Sequence, residues 1–367
     1  MVKILVFGMT ENPGGVEAFL MNNFRCMDRD QIQWDFLCNS HDPIAYEDEI
    51  LAAGSRTFHI TARSASIPQY EKELHQFFRQ HAKEYDAIWV NVSSLANIDY
   101  LICAKRYGIP RRIIHSHNSR NMDSALRGKV HVMNKQIVDR YATDFWACSE
   151  LAAKWFYKDK LMDRVVLVRN AIDLDRMTFD PEKRAELRKA HGLEDRFLIG
   201  NVGRLHHQKN QSFALKVFKE VIDQKPEAHL VLIGQGEDEQ KLKEEARLLN
   251  IQDHVLFAGV SRDVPGWLSA LDLFLFPSTF EGQPIAALEA EASGIPVLAS
   301  LEGSPTAKIN DNFELLSLEE SPSVWAEKLL SMTTERAGET EIRDRFRASG
   351  YEIHHEALRL QKLLMKE

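Results

Sequence analysis

Apolar and polar residues follow two rhythms along the chain. Short apolar runs recur at VKILVFG (2–8), WDFLC (34–38), RTFHI (56–60), AIWVN (87–91), RIIHS (112–116), DFWAC (144–148) and VVLV (165–168). Stretches of helical periodicity lie between them, for example 15–27 and 68–85. Strands alternating with helices predict parallel α/β sheets. The rhythm stops in DLDRMTFDPEKRAELRKAHGLEDRF (173–197), whose charge and turn residues predict a linker plus a helix. A second series follows: FLIGNVG (197–203), LVLIG (230–234), VLFAG (255–259), LFLFP (273–277) and VLAS (297–300), with helices at about 211–224, 237–249, 263–270 and 284–293. The pattern predicts two Rossmann-like α/β halves, 1–172 and 173–350, and hence a cleft, with ligands held beyond the carboxyl ends of strands. In 351–367, Ile353, Ala357, Leu360 and Leu364 share one helical stripe. That terminal helix packs on its own domain or crosses back to the first.

Composition narrows the class. At 367 residues the chain exceeds one ordinary core and suits two domains. Its 44% hydrophobic and 27% charged residues are those of a soluble globular protein. The apolar stretch in MVKILVFGMTENPGG is too short for a signal-peptide core, and no run approaches the ~18 residues of a spanning helix. Cys26, Cys38, Cys103 and Cys148 are scattered without CxxC spacing, which predicts reduced thiols in a cytoplasmic protein.

Charge is uneven. The net value is −8, from 46 Lys and Arg against 54 Asp and Glu. Residues 105–140 hold nine of the cations and only two acids, Asp123 and Asp139, for a local +7. The segment is either an ordinary solvated face or a patch for an anionic partner, membrane headgroups or a phosphorylated acceptor. An acidic chain without interleaved aromatics argues against nucleic acid.

Four motifs carry candidate chemistry. TENPGGVEAF (10–19) follows the first strand, and Gly14 and Gly15 form either a binding loop or a plain helix-opening turn. In IIHSHNSRN (113–121), His115 and His117 point to one side of an extended chain. No third ligand supports a metal reading, and structural and functional roles both remain open. NVGRLHHQKNQSFAL (201–215) sets Arg204 and Lys209 after a strand, a planar fork and a point charge suited to a diphosphate. His206 and His207 read as surface residues.

The fourth motif is FPSTFEGQPIAALEAEASGIPV (276–297). Pro284 fits a helix's first turn, leaving the amides of 282–286 to face phosphate or sugar oxygens. Ile285, Leu288 and Ala292 form the core face; Glu289 lies off it, and Glu291 projects elsewhere. Carboxylates repel phosphate, so Glu281 and Glu289 suit hydroxyl donors. Amides, two cations, two acids and a histidine at strand ends together suit a sugar nucleotide.

GRLHHQKN (203–210), GQGEDEQKLKEEA (234–246), VLFAGV (255–260) and FEGQPIAALEAEASGIPV (280–297) resemble the retaining GT-B glycosyltransferases of family 4 (group 1). Glu281 and Glu289 match that family's E-x7-E motif. The first half matches more loosely, through NPGGVEAFL (12–20), HSHN (115–118), ACSE (147–150) and VRNAID (168–173), features most like bacterial members that build capsule or exopolysaccharide.

The resemblance implies a metal-independent hexosyltransferase without cofactor, taking a nucleotide-sugar donor (UDP by family precedent) and a glycan or polyprenyl-linked acceptor. It implies that Arg204 and Lys209 bind the diphosphate, and that Gly14 and Gly15 approach it from the other lobe. Amides of Gly282, Gln283, Pro284 and Ile285 border phosphate and sugar; Glu281 contacts sugar hydroxyls and Glu289 the ribose. Val260 and Ser261 border the base. His117, in preference to His115, sits near the anomeric carbon. The acidic pair needs no glycosyl-enzyme, because the leaving phosphate can take the acceptor's proton on the same face.

Ala171, Gln283 and the Glu-free GSPTAKI (303–309) depart from the family pattern, and the last of these bears on donor-sugar contacts and not on the class. Alternatives are a UDP-sugar 2-epimerase of similar fold, a two-lobed ligand-binding protein and a catalytically idle scaffold. The E-x7-E pair argues against the first and the short N-terminal apolar run against the second. Filled binding positions argue against the third.

Overall fold

A computed structural model of the chain describes residues 1–121, 124–303 and 307–366. Asp123 of the basic segment, residues 304–306 of GSPTAKI and the final Glu367 lie outside the described residues. The chain divides into two units, Met1–Ala171 with Ile353–Glu367, and Ile172–Glu352.

The first unit contains β1 (Val2–Phe7), β2 (Ile32–Cys38), β3 (Thr57–His59), β4 (Ala87–Val92), β5 (Arg111–Ser116), β6 (Asp144–Ala147) and β7 (Val165–Leu167). They form one parallel sheet in the order β3-β2-β1-β4-β5-β6-β7. The central strands read as continuous apolar runs because helices cover both sheet faces. Trp34, Trp89, Trp146, Phe19 and Phe36 are fully buried there.

Of the two placements open to the terminal helix, the structure has Ile353–Leu364 in the first unit. Ile353 and Ala357 pack with Ala171 and Cys26. Buried Glu356 accepts from the Arg169 amide at 3.0 Å and pairs with Arg359. Arg111 donates to the carbonyls of Leu363, Leu364 and Lys366, closing the helix's carboxyl end.

The second unit contains β8 (Phe197–Val202), β9 (Ala228–Ile233), β10 (Val255–Gly259), β11 (Leu273–Phe276), β12 (Val297–Ser300) and β13 (Phe313–Leu316). Their order is β10-β9-β8-β11-β12-β13, again parallel. The apolar pattern does not predict β13, a four-residue edge strand interrupted by Glu314.

The charged stretch 173–197 does more than link. Its helix Pro181–Ala190 brings Arg184 and Arg188 onto Asp272 at 2.5 and 2.7 Å. Both arginines, with Arg336, also donate to the last carbonyls of helix Val264–Ala270 and the residue after it. Cations at a helix carboxyl end complement its dipole. The charge of the stretch therefore serves packing.

Each sheet reverses strand order once, between β1 and β4 in the first unit and between β8 and β11 in the second. Open α/β sheets bind ligands at such reversals, outside the carboxyl ends of the strands. All four sequence motifs begin at or beside these strand ends.

Candidate active site

In the second unit, β8 runs into the loop 203–210 and β11 into the loop 277–284. Gly203 has φ +155, and a Cβ on it would meet the Lys209 stem at 3.1 Å. Asn210, in the left-handed region at φ 55, turns the loop into helix Gln211–Gln224. The two loops are tied together. Lys209 Nζ donates to Glu281 Oε1 at 2.7 Å. Gln208 Nε2 donates to the Phe280 carbonyl at 2.8 Å and to Glu281 Oε2 at 3.2 Å. The Thr279 amide and hydroxyl both donate to the Gln208 carbonyl. The Glu281 side chain is only 8% exposed, so the Lys209 ammonium neutralises a carboxylate largely out of water.

Arg204 is exposed and pairs with Glu237 at 2.9 Å. The expectation that His206 lies on the surface is wrong. It is buried, accepts from the Gln208 amide at 3.2 Å and faces Glu237 at 3.4 Å, so it shapes the loop that carries Lys209. His207 is exposed, as expected.

Helix Ile285–Ala292 starts after Pro284, which supplies the N-cap position rather than the first turn. The Ile285 amide is already used, donating to the Gln283 carbonyl at 3.0 Å. Gln283 reaches the Tyr351 hydroxyl at 2.7 Å. Glu289 is half-buried, and no described residue donates a hydrogen bond to its carboxylate. Burial pushes its pKa up to about 7, against the opposing pull of Arg176 and Lys209.

Glu291, expected to project elsewhere, is fully buried. Its Oε1 accepts from the amides of Ile309 and Asn310, both at 2.8 Å, and burial pushes it up to about 8. Beyond β10, Gly259 has φ +68 and Val260 is exposed, while the Ser261 hydroxyl accepts from the Asp263 amide at 3.0 Å.

In the first unit, Gly8 follows β1 at φ +139, and a Cβ there would meet Asn91 at 2.7 Å. Only glycine lets the β1 exit lie on the β4 terminus. Gly14 caps helix Gly15–Cys26. Glu17, in that helix's first turn, reaches back to the Thr10 amide at 3.0 Å and hydroxyl at 2.6 Å. This buried carboxylate, its pKa raised by desolvation, already occupies the helix N-terminus. Gly14 and Gly15 thus offer close backbone approach more than an anion cradle.

The two histidines separate in role. His115 is fully buried among Phe19, Trp89 and Trp146, with no partner among the described residues for either ring nitrogen. It is a core residue, held neutral by burial. His117 is half-buried, and its Nε2 lies 3.0 Å from Asn91 Oδ1. Asn91 Nδ2 donates to the carbonyls of Phe7 and Trp89, which orients its oxygen toward the ring. His117 must therefore carry its proton on Nε2, leaving Nδ1 as an acceptor. Burial pushes its pKa down to about 3.

Sequence reasoning missed Asn91, Gln208, Glu17 and Glu291. Asn91 had a signal, as the polar residue closing the apolar run AIWVN, and Gln208 adjoins Lys209.

Two parallel-sheet units with polar groups gathered at their strand-order reversals have the GT-B fold. Anabaena Alr3699/HepE, solved with UDP and glucose, matches with a TM-score of 0.81 and 18% identity over 99% of both chains. A family model described as Glycosyl transferases group 1 matches residues 183–353. EpsF of Bacillus subtilis (strain 168), a protein assigned as a glycosyltransferase, is 32% identical over 330 residues, covering 87% of this chain and 84% of its own. The chain belongs to the group 1 glycosyltransferases. It is also 26% identical, over 82% of this chain and 79% of the relative, to the Escherichia coli UDP-Gal:alpha-D-GlcNAc-diphosphoundecaprenol alpha-1,3-galactosyltransferase.

Proposed function

We propose that this enzyme transfers a hexose from a UDP-sugar, with retention and without metal, to a glycan or polyprenyl-linked acceptor in polysaccharide assembly. The observation that carries the reading is the β8–β11 loop pair, where Lys209, Gln208 and Glu281 interlock and Glu289 stands on the helix that follows, with no hydrogen-bond donor among the described residues. The E. coli relative's UDP-Gal donor and diphosphoundecaprenol acceptor support the substrate classes. The UDP seen with Alr3699/HepE supports the nucleotide.

In this reading Lys209 and Arg204 neutralise the diphosphate, with amides at Gly282 and Gln283 bordering phosphate and sugar. Glu281, its charge balanced by Lys209, accepts from sugar hydroxyls, and Glu289 accepts from the ribose. Val260 and Ser261 border the base. Gly14 and Gly15 give close backbone approach, and His117 Nδ1 accepts from a hydroxyl near the anomeric centre. The C1–O bond to phosphate breaks as the acceptor oxygen bonds C1, and the acceptor's proton passes to the departing phosphate oxygen on the same face. The protein supplies position and charge neutralisation. No residue needs to titrate during the transfer.

The test is incubation with UDP-sugars, with and without a synthetic polyprenyl-diphosphate sugar. UDP release that depends on acceptor, with an α-anomeric product from an α-linked donor by proton NMR, is expected. Conversion of the UDP-sugar without acceptor would instead establish an epimerase, and a β product would overturn retention.

A further inference from the structure

Tyr351 opens the segment 351–367 in the sequence, yet in the structure it belongs to the second unit, ahead of the terminal helix that starts at Ile353. Its backbone is held on both sides. Helix Glu339–Ser349 ends at Gly350, which has φ +76. The Gly350 amide donates to the Arg347 carbonyl at 3.1 Å and the Tyr351 amide to the Phe346 carbonyl at 2.9 Å, a Schellman motif. On its other side the Tyr351 carbonyl accepts from the Ile172 amide at 2.8 Å, and Ile172 bridges to Glu352. These bonds fix the point from which the tyrosine ring leaves the chain.

The hydroxyl so fixed meets the loop 277–284. Gln283 Nε2 donates to it at 2.7 Å, across 68 positions of sequence. Gln283 opens a tight turn: Pro284 has φ −80 and ψ 84, and the Ile285 amide donates to the Gln283 carbonyl, an inverse γ-turn. The first half of the loop is tied to the loop 203–210, through Thr279 and Glu281 on one side and Gln208 on the other. The Tyr351 bond ties the second half, just ahead of helix Ile285–Ala292 and its Glu289.

We propose that Tyr351 is a positioning residue for the nucleotide-sugar donor, acting through Gln283 to hold the turn whose amides border phosphate and sugar. The proposal rests on the donor reading above. Gln283 is one of the positions at which the chain departs from the family pattern, and its carboxamide gives the tyrosine hydroxyl a partner in the loop. A turn anchored at both ends presents its amides in one place, and small misplacements of such groups weaken both binding and transfer. Tyr351 itself need not touch the donor.

The test is calorimetric titration of UDP into the full chain as wild type, Tyr351→Phe, Gln283→Leu and the double variant. Phenylalanine keeps the ring and removes the hydroxyl, while leucine cuts the same bond from the loop side. Each single variant should bind UDP about three- to tenfold more weakly, with far-UV circular dichroism unchanged. The double variant should lose no more than the weaker-binding single variant, because both changes remove one bond. In the transfer assay, Tyr351→Phe should raise the donor KM by the same factor and leave kcat and the acceptor KM within about twofold. A single variant that binds UDP like wild type, or a double variant whose loss is the product of the two single losses, overturns the proposal. So does a lowered kcat at an unchanged donor KM. Absence of UDP binding to wild type would instead sink the donor reading, and this inference with it.

Discussion

At the β1–β4 reversal the polar groups are neutral and hold one another: Asn91 fixes the His117 ring at 3.0 Å, and burial keeps that ring uncharged down to about pH 3. At the β8–β11 reversal they are charged: Lys209 meets Glu281 at 2.7 Å, and Glu289 titrates near 7. One fold, repeated, thus carries two different sets of polar groups. In the proposed reading the second unit manages the charge of a leaving diphosphate, and the first orients a hydroxyl without adding charge. Burial gives both their character, raising a carboxyl and lowering an imidazole toward neutrality.

The contrast breaks most sharply at Lys209. Lys209→Ala and Glu281→Ala should each lower transfer by about 10²–10³-fold, read as kcat/KM, with circular dichroism unchanged. Lys209→Arg, which keeps the ion pair, should recover part of the loss. Near-wild-type turnover in both alanine variants would remove the charge-handling role from the second unit.

Asn91→Leu tests the neutral side. Freed from the amide oxygen, His117 can place its proton on Nδ1, and kcat should fall about 10–100-fold, with a KM for the donor near that of wild type. An equal fall in nucleotide affinity would mean that Asn91 acts through general structure.

Legible in the fourth motif was the course of the chain: an apolar run ending in a Gly- and Pro-containing loop predicts a strand, a turn and a helix start, and the structure has β11, the loop 277–284 and helix Ile285–Ala292 there. The two sheets were legible from alternating apolar runs. What escaped depends on contacts distant in sequence. Asn91 meets His117, 26 positions on, and Gln208 meets Glu281, 73 on. Such pairings follow from strand order, which local periodicity does not encode. His206 escaped for the opposite reason: a polar dipeptide reads as surface, yet one of its two rings is folded inward.

Two smaller effects concern pH. Since burial raises Glu289 to about 7, its acceptor form grows as pH rises through that value. The ratio of wild-type to Glu289→Gln affinity for a UDP-sugar should therefore rise about fivefold from pH 6 to pH 8, measured by calorimetry. A flat ratio would remove Glu289 from ribose recognition.

Glu291 bears on stability alone. Its native pKa of about 8 lies above the ordinary 4.5, so the folded chain holds a proton that the unfolded chain releases in between. That contribution is complete below about 4.5 and is lost as pH climbs to about 8. Glu291→Gln keeps the acceptor for Ile309 and Asn310, and its Tm relative to wild type should improve by about 2–4 °C from pH 6 to pH 9. A constant difference would place the Glu291 carboxyl in its ordinary range.

The most direct test of the central claim, that the second unit's strand-end cations hold the nucleotide diphosphate, is calorimetric titration of UDP into wild type, Lys209→Ala and Asn91→Leu. Wild type should bind, Lys209→Ala should bind about 10–100-fold more weakly, and Asn91→Leu should match wild type. Equal affinity in wild type and Lys209→Ala, or no binding of UDP to wild type, would contradict it.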